Sequence, residues 1–206
     1  MDRVVIVGNG GHARACLDAW DPAPDLTPAG CVGPTPAEVL GLAYLGDDDQ
    51  LPALAAAGLD RAFVALGSNA VRAAVTQRCL DAGFSLVTII APSAQVGRTA
   101  AVGPGSIVLH RAVVGAQVRI GRGSIINTAA TVDHDCVIGD FVHIAPGVNL
   151  AGNVVVEDRS MVGIGASVVP GVRIGVGATV GAGAVVLHDV ADGQTVVGVP
   201  AKELKR

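Results

Sequence analysis

From residue 90 to residue 186 an aliphatic side chain recurs at every sixth position, through Ile90, Val96, Val102, Val108, Val114, Ile120, Ile126, Val132, Ile138, Ile144, Leu150, Val156, Val162, Val168, Ile174, Val180 and Val186. Two places earlier stands a small or compact residue, as at Ala94, Ser106, Ala130, Cys136 and Ala166, and glycine often follows directly, as at Gly97, Gly103, Gly121 and Gly163. A helix repeats every 3.6 residues and a flat strand every two, so a strict period of six describes neither. It describes a short strand that alternates in and out and then turns a corner. Three such units close a triangular coil of about eighteen residues, and neighbouring coils lie at the ordinary strand spacing of about 4.8 Å. The segment 88–188 then makes roughly five to six coils, filled by stacked Val and Ile, with Gly and small residues permitting the tight corners.

The first 87 residues follow a different rhythm. Residues 4–7 are an unbroken apolar run, read as a buried strand, and Gly8-Asn9-Gly10-Gly11-His12-Ala13 leads from it into a helix through about Ala19. Gly8, Gly10 and Ala13 fit the G-x-G-x-x-A spacing that lets backbone approach a phosphate at a helix N-terminus. A dehydrogenase would carry an acid at the end of the second strand to hold a ribose, and Ala29-Gly30-Cys31-Val32-Gly33-Pro34 offers none. Residues 51–57 read as a helix and 63–66 as a strand. The turn Gly67-Ser68-Asn69 opens a helix over about 70–81, which Asn69 can cap, and 85–89 read as a last strand. These β/α units predict an α/β, Rossmann-like domain over 1–87, too small to hold a nicotinamide cofactor and a substrate alone, with the β-helix and its tail over 88–206.

Composition narrows the function. Hydrophobic residues make up 50% of the chain, yet 28 glycines interrupt them, and no apolar run approaches the roughly 20 residues of a membrane span. The apolar stretch near Met1 is too short for a secretory leader, which predicts a cytoplasmic protein. A net charge of −4 without a basic run argues against nucleic acid, and no basic amphipathic helix suits a membrane surface. Cys16, Cys31, Cys79 and Cys136 lack C-x-x-C spacing, so the expectation is packed thiols rather than a zinc site or disulfides.

The run Val4-Val5-Ile6-Val7-Gly8-Asn9-Gly10-Gly11-His12, the Gly67-Ser68-Asn69 turn, the hexapeptide column and the closing Val197-Gly198-Val199-Pro200-Ala201-Lys202 together resemble a known family. It is the sugar O- and N-acetyltransferase family of hexapeptide-repeat acyltransferases, of the sialic acid O-acetyltransferase and bacillosamine-pathway N-acetyltransferase type. The match covers essentially the whole chain. The resemblance implies a left-handed β-helix, against the usual crossover hand. It also implies acetyl-CoA as co-substrate, an N-terminal domain that holds a sugar or nucleotide sugar, and a homotrimer whose active site lies where two β-helices meet. The expected reaction is acetylation of an amino sugar, at the 4-amino group of a nucleotide-linked dideoxy sugar, in surface glycan biosynthesis. Sugar O-acetylation, or a non-catalytic nucleotide-sugar-binding trimer, is the alternative. Where many members carry acids after the second strand that contact the nucleotide, this chain has Val32-Gly33-Pro34.

Acyl transfer from a thioester needs a base for the nucleophile and donors for the oxyanion. His134, in Thr131-Val132-Asp133-His134-Asp135-Cys136, should project outward near a corner, where flanking carboxylates orient an imidazole and raise its basicity. The resemblance makes His134 the catalytic base and Asp135 its support. It assigns His143, Gly152, Ile164, Gly181 and Ala182 to acetyl-CoA, and Gly10, Gly11, His12, Gly67, Ser68 and Asn69 to the sugar substrate. Gly152 is also the place where a bare N–H can approach the thioester oxygen. His188 falls at the same corner as His134 but three coils away, about 14 Å by strand spacing, and His110 reads as structural. His110, His134 and His143 do not share a corner and face, so no metal is expected, and Cys136 lies at an inward position, which leaves direct attack on the thioester.

Overall fold

The computed structural model describes residues 2–20 and 26–204. Its first sheet holds five parallel strands, β1 (Asp2–Val7), β2 (Leu26–Val32), β3 (Tyr44–Gly46), β4 (Arg61–Val64) and β5 (Ser85–Leu86), in the order β3-β2-β1-β4-β5. Among the described residues three α-helices accompany them, α1 (Gly11–Asp18), α2 (Leu51–Ala56) and α3 (Asn69–Asp81), with a 3-10 turn over Asp48–Gln50 before α2. Val4 and Ile6 of β1 pack with Ala13 and Cys16 of α1, whereas Val5 and Val7 pack with Leu51, Val75 and Cys79 on the other face. Both faces are covered, so the strand is apolar without alternation. The chain passes from β1 to β2 on one side and returns to β4 on the other. A crevice therefore opens beyond the C-terminal ends of β1 and β4, the topological switch point at which open α/β sheets bind ligands.

Two strand expectations shift. The strand expected over 63–66 begins earlier, because pairing with β1 starts at Val4↔Arg61. The one expected over 85–89 is broken: Ser85–Leu86 pairs with β4, while Ile89–Ile90 pairs with Ile107–Val108 as the first rung of the coil. The four cysteines are buried and unpaired.

From Ile89–Ile90 to Ser167–Val168 each rung pairs with the rung 18 residues on, as Thr131 does with Asn149, and the rungs stack as three parallel sheets in a left-handed β-helix. The inward aliphatic residues from Val108 to Val186 are all buried, each stabilising the column by roughly 1.5–3 kcal/mol relative to exposure. Ile90, the first of the series, is 43% exposed because no coil lies beneath it. At the far end the coil tightens, Thr179 pairing with Thr195, and Thr195–Val197 takes Lys202–Glu203 as an antiparallel partner.

Glycine serves the corners differently from expectation. Left-handed φ recurs every six residues from Gly105 to Gly183, but it falls three places after the inward aliphatic, at positions that also hold Arg111, Asp135, Phe141 and Arg159. The glycines directly after the aliphatics answer another need. A Cβ on Gly103 would stand 2.7 Å from the Gly121 carbonyl carbon, and one on Gly163 would stand 2.7 Å from the Ala182 nitrogen. They let consecutive coils approach.

The first domain docks on the outside of the third face, the one built from Ile89–Ile90, Ile107–Val108, Ile125–Ile126 and His143–Ile144. The outward residues Ile89, Ile107 and Ile125 are buried in one cluster with Ala13 and Cys16 of α1. The next outward residue up the face is the partly buried His143, and above it Met161 is 39% exposed. The edge of the docked domain thus falls at His143. Among the described residues no helix is long and apolar enough to cross a membrane.

Candidate active site

His134 stands at the corner that follows the first face, the one built from Gln95–Val96, Val113–Val114, Thr131–Val132 and Asn149–Leu150 and the rungs above them, with its side chain about half exposed. Asp133 Oδ1 accepts the His134 backbone N–H at 2.7 Å, and Asp135, in left-handed backbone at φ 60°, turns its carboxylate back to His134 Nδ1 at 2.8 Å. A short polar side chain tolerates that φ where a branched one would be strained. An ionised carboxylate only accepts, so Nδ1 carries the proton and Nε2 presents its lone pair. The Asp135 hydrogen bond, followed by the charge of Asp133, raises the His134 pKa above its ordinary value. Such an imidazole can take a proton from a nucleophile.

One coil further, Gly152 lies against the ring. A Cβ there would meet His134 Cε1 at 2.6 Å and Nε2 at 2.7 Å. Among the described residues nothing accepts from the Gly152 N–H, whereas the neighbouring Asn153 N–H donates to the His134 carbonyl at 3.0 Å. A base and a free backbone donor are therefore side by side. A groove of about 470 Å³ runs next to them along the first face, lined by Thr131, Asp133, Asn149, Ala151, Val169 and Pro170 among others.

A second constellation forms at the domain junction. His12 and His143 face each other with ring centroids 6.4 Å apart, and Asn127 Nδ2 lies 3.0 Å from His143 Nε2. Burial, then His143 and Arg72, lower the His12 pKa to about 4. Burial and Arg72 lower that of His143 to about 4 as well, against a smaller pull from the Gly67 carbonyl. Both rings are neutral at pH 7. His12 Nε2 is buried without a partner among the described residues, so a hydrogen-bonding ligand group would satisfy it. A Cβ at Gly10 or Gly67 would meet nothing within 4 Å, which leaves their backbone approachable.

Asn69 departs from expectation. Ser68, not Asn69, is the N-cap of α3, and no side chain caps that end. The Asn69 amide is drawn elsewhere: Nδ2 donates to the Arg159 and Ser160 carbonyls at 3.1 and 3.0 Å, and Oδ1 accepts from Arg72 at 2.8 Å. Gly181 lies beneath Val197 of the closing strand, its Cβ position 2.7 Å from Val197 Cγ1. Ile164, 61% exposed, and Ala182 stack one coil apart at the corner after the third face, not at the corner of His134 and Gly152. His110 is structural, its Nδ1 2.8 Å from Ser93 Oγ and its Nε2 3.3 Å from the Asp18 carbonyl at the end of α1.

Sequence reasoning missed two features. The end of β2 carries no acid, but Asp47, Asp48 and Asp49, just after β3, line a crevice of about 390 Å³ with Gly8, Gly33, Pro34 and Leu66 at the switch point, where Arg78 pairs with Asp48 and Asp49 at 3.1 and 3.2 Å. A run of three aspartates before an apolar helix was the available signal. The second is Arg72, 1% exposed at the domain junction, which carries no sequence signal beyond being a basic residue in a helix.

With this geometry in hand, the comparisons are specific. The PglD N-terminal domain family matches residues 3–79. No curated protein sequence matched the chain. Among solved structures, PerB from Caulobacter crescentus, in complex with CoA and GDP-perosamine, is 44% identical over 98% of this chain and 97% of its own, with a TM-score of 0.94. The acetyltransferase domain of PglB from Neisseria gonorrhoeae is 38% identical over 99% and 100%, with a TM-score of 0.91, and WeeI from Acinetobacter baumannii is 26% identical over 98% and 99%, with a TM-score of 0.88. The chain belongs to the sugar acetyltransferase family of hexapeptide-repeat acyltransferases.

Proposed function

We propose that this protein transfers the acetyl group of acetyl-CoA to the amine of a nucleotide-linked amino sugar. The observation that carries the reading is the exposed His134–Asp135 pair, its ring packed on Gly152, whose N–H is free among the described residues. The amine nitrogen attacks the thioester carbonyl carbon as His134 Nε2 removes its proton, and Asp135 holds the imidazolium that results. The Gly152 N–H donates to the oxyanion. Collapse breaks the C–S bond, and the leaving CoA thiolate takes the proton from the His134 imidazolium, which returns the base to its neutral form. The switch-point crevice accepts the nucleotide, and Gly10, Gly11, His12, Gly67 and Ser68 line the way from it to the junction. The GDP-perosamine bound by the PerB relative supports an amine acceptor over a hydroxyl.

The site is completed by a second copy of the chain. His134 and Gly152 occupy one corner of the triangle, whereas His143, Ile164 and Ala182 belong to the third face and the corner after it. One column holds these two halves apart, and a cyclic trimer brings the first-face corner of each copy to the third-face corner of the next. We assign the protein to the cytoplasm, where acetyl-CoA and nucleotide sugars are made.

Thiol release from acetyl-CoA, measured across GDP-, UDP- and dTDP-linked amino sugars, tests the reading. Turnover with one of them is expected. No turnover with any, while nucleotide sugar still binds, would overturn it. The pH profile gives a second test. The base works neutral, so kcat/KM falls as pH drops through the raised His134 pKa, above 6.5. Asp135→Asn removes the largest cause of that elevation, and the acidic limb moves to lower pH along with a reduced plateau. A limb that stays in place would remove Asp135 from the role.

A further inference from the structure

Arg72 is buried in the second turn of α3, and among the described residues no carboxylate pairs with it. Burying a guanidinium is unfavourable unless its donors are met. All of its partners here are carbonyl or amide oxygens. Nε donates to the Gly123 carbonyl at 2.6 Å, one terminal nitrogen to the Leu66 and Gly67 carbonyls at 2.9 and 3.1 Å, and the other to Asn69 Oδ1 at 2.8 Å and the Phe141 carbonyl at 3.1 Å. Asn69, one turn earlier on the same helix, donates to the Arg159 carbonyl at 3.1 Å.

Gly123, Phe141 and Arg159 occupy the same position in three consecutive coils. Each is a left-handed corner residue, with φ of 60°, 56° and 58°, and their carbonyls form a column up the corner that precedes the third face. The first turns of α3 run along this column and meet a carbonyl in each of three coils. The apolar patch of Ile107 and Ile125 selects which rungs the first domain covers, but apolar contact is non-directional and tolerates sliding. Hydrogen bonds to three fixed carbonyls do not.

We infer that Arg72 and Asn69 are a positioning pair, which reads the carbonyl column and fixes the first domain at one height on the β-helix. That height sets the Gly67 turn and His12 against His143, and so delivers the sugar amine to the acetyl group. The inference rests on the proposed acetyl transfer for its kinetic consequence, although the docking itself does not depend on it. The charged and titratable groups that face Arg72 are Cys16 and His12 of α1 and His143 of the coil, and none of them supplies a negative charge at neutral pH.

The test uses the full chain with Arg72→Met, Arg72→Lys and the milder Asn69→Ala. Lysine keeps the charge but cannot span the carbonyls of two coils and the Asn69 amide together. In the folded variants kcat is expected to fall at least about 10-fold, in Arg72→Lys as in Arg72→Met, while KM for acetyl-CoA and affinity for GDP stay within about 2-fold. A packing role alone would leave kcat per folded molecule unchanged, and that result overturns the proposal. So would recovery of full activity in Arg72→Lys. Hydrogen exchange separates this from failure of the acetyltransferase reading. Amides of α3 and of residues 141–144 should lose protection together in Arg72→Met and, to a lesser degree, in Asn69→Ala, whether or not any acceptor turns over. Retained protection in both variants would overturn the positioning pair.

Discussion

Replacing His134 by alanine lowers kcat for acetyl transfer by roughly 10²–10⁴-fold, the range that a positioned general base contributes. Both substrates still bind. The expectation of a large kinetic effect with a small structural one follows from the surroundings of the ring. It is half exposed, it touches Asp135 through Nδ1, and it rests on the backbone of Gly152. No buried partner is orphaned by its removal, and the inward column beneath it, Val132 and Leu150, is untouched. The rate that remains comes from holding amine and thioester together. Single-turnover acetylation with saturating substrates, beside a thermal melt, measures the effect. A folded variant within threefold of the parent would show that another group takes the proton.

The β-helix was legible in the sequence because its physics repeats. One small environment, an inward side chain flanked by coils above and below, is imposed at each of its rungs, and a period of six survives any single exception such as the uncovered Ile90. His134 and Asp135 were legible for a related reason, since a polar Asp-His-Asp run beside an inward Val can only project at a corner. What could not be read belongs to contacts between units of different period. Arg72 and Asn69 meet carbonyls 51 to 91 residues away, and a carbonyl column leaves no mark in residue identity. The Asp47–Asp49 side of the crevice depends on β3, three residues long, whose position beside β2 is set by pairing rather than propensity. The glycines after the aliphatics were visible, but their purpose was not. Their φ is ordinary, and only the next coil reveals that a Cβ has no room there.

Gly152→Ala should lower kcat by about 100-fold or more with the acetyl-CoA KM little changed, although alanine keeps the N–H that faces the oxyanion. The new methyl would lie 2.6 Å from His134 Cε1 and 2.7 Å from Nε2, well inside the normal carbon–carbon separation of about 3.5–4.0 Å. Backbone of adjoining coils fixes Gly152, since its carbonyl accepts the Gly171 N–H at 3.0 Å, so the ring must yield. It swings towards solvent, the 2.8 Å bond to Asp135 is lost, and the base leaves the groove. Two readouts then move together. The rate falls, and the acidic limb of the pH profile shifts down, because the hydrogen bond that raised the His134 pKa is gone. Loss of the oxyanion donor alone would lower the rate with the limb in place, and a merely destabilised coil would lower the melting temperature with both kinetic features intact. Wild-type turnover in Gly152→Ala would mean that the ring does not rest on Gly152 in the working enzyme, and the geometry proposed for proton removal would fall with it.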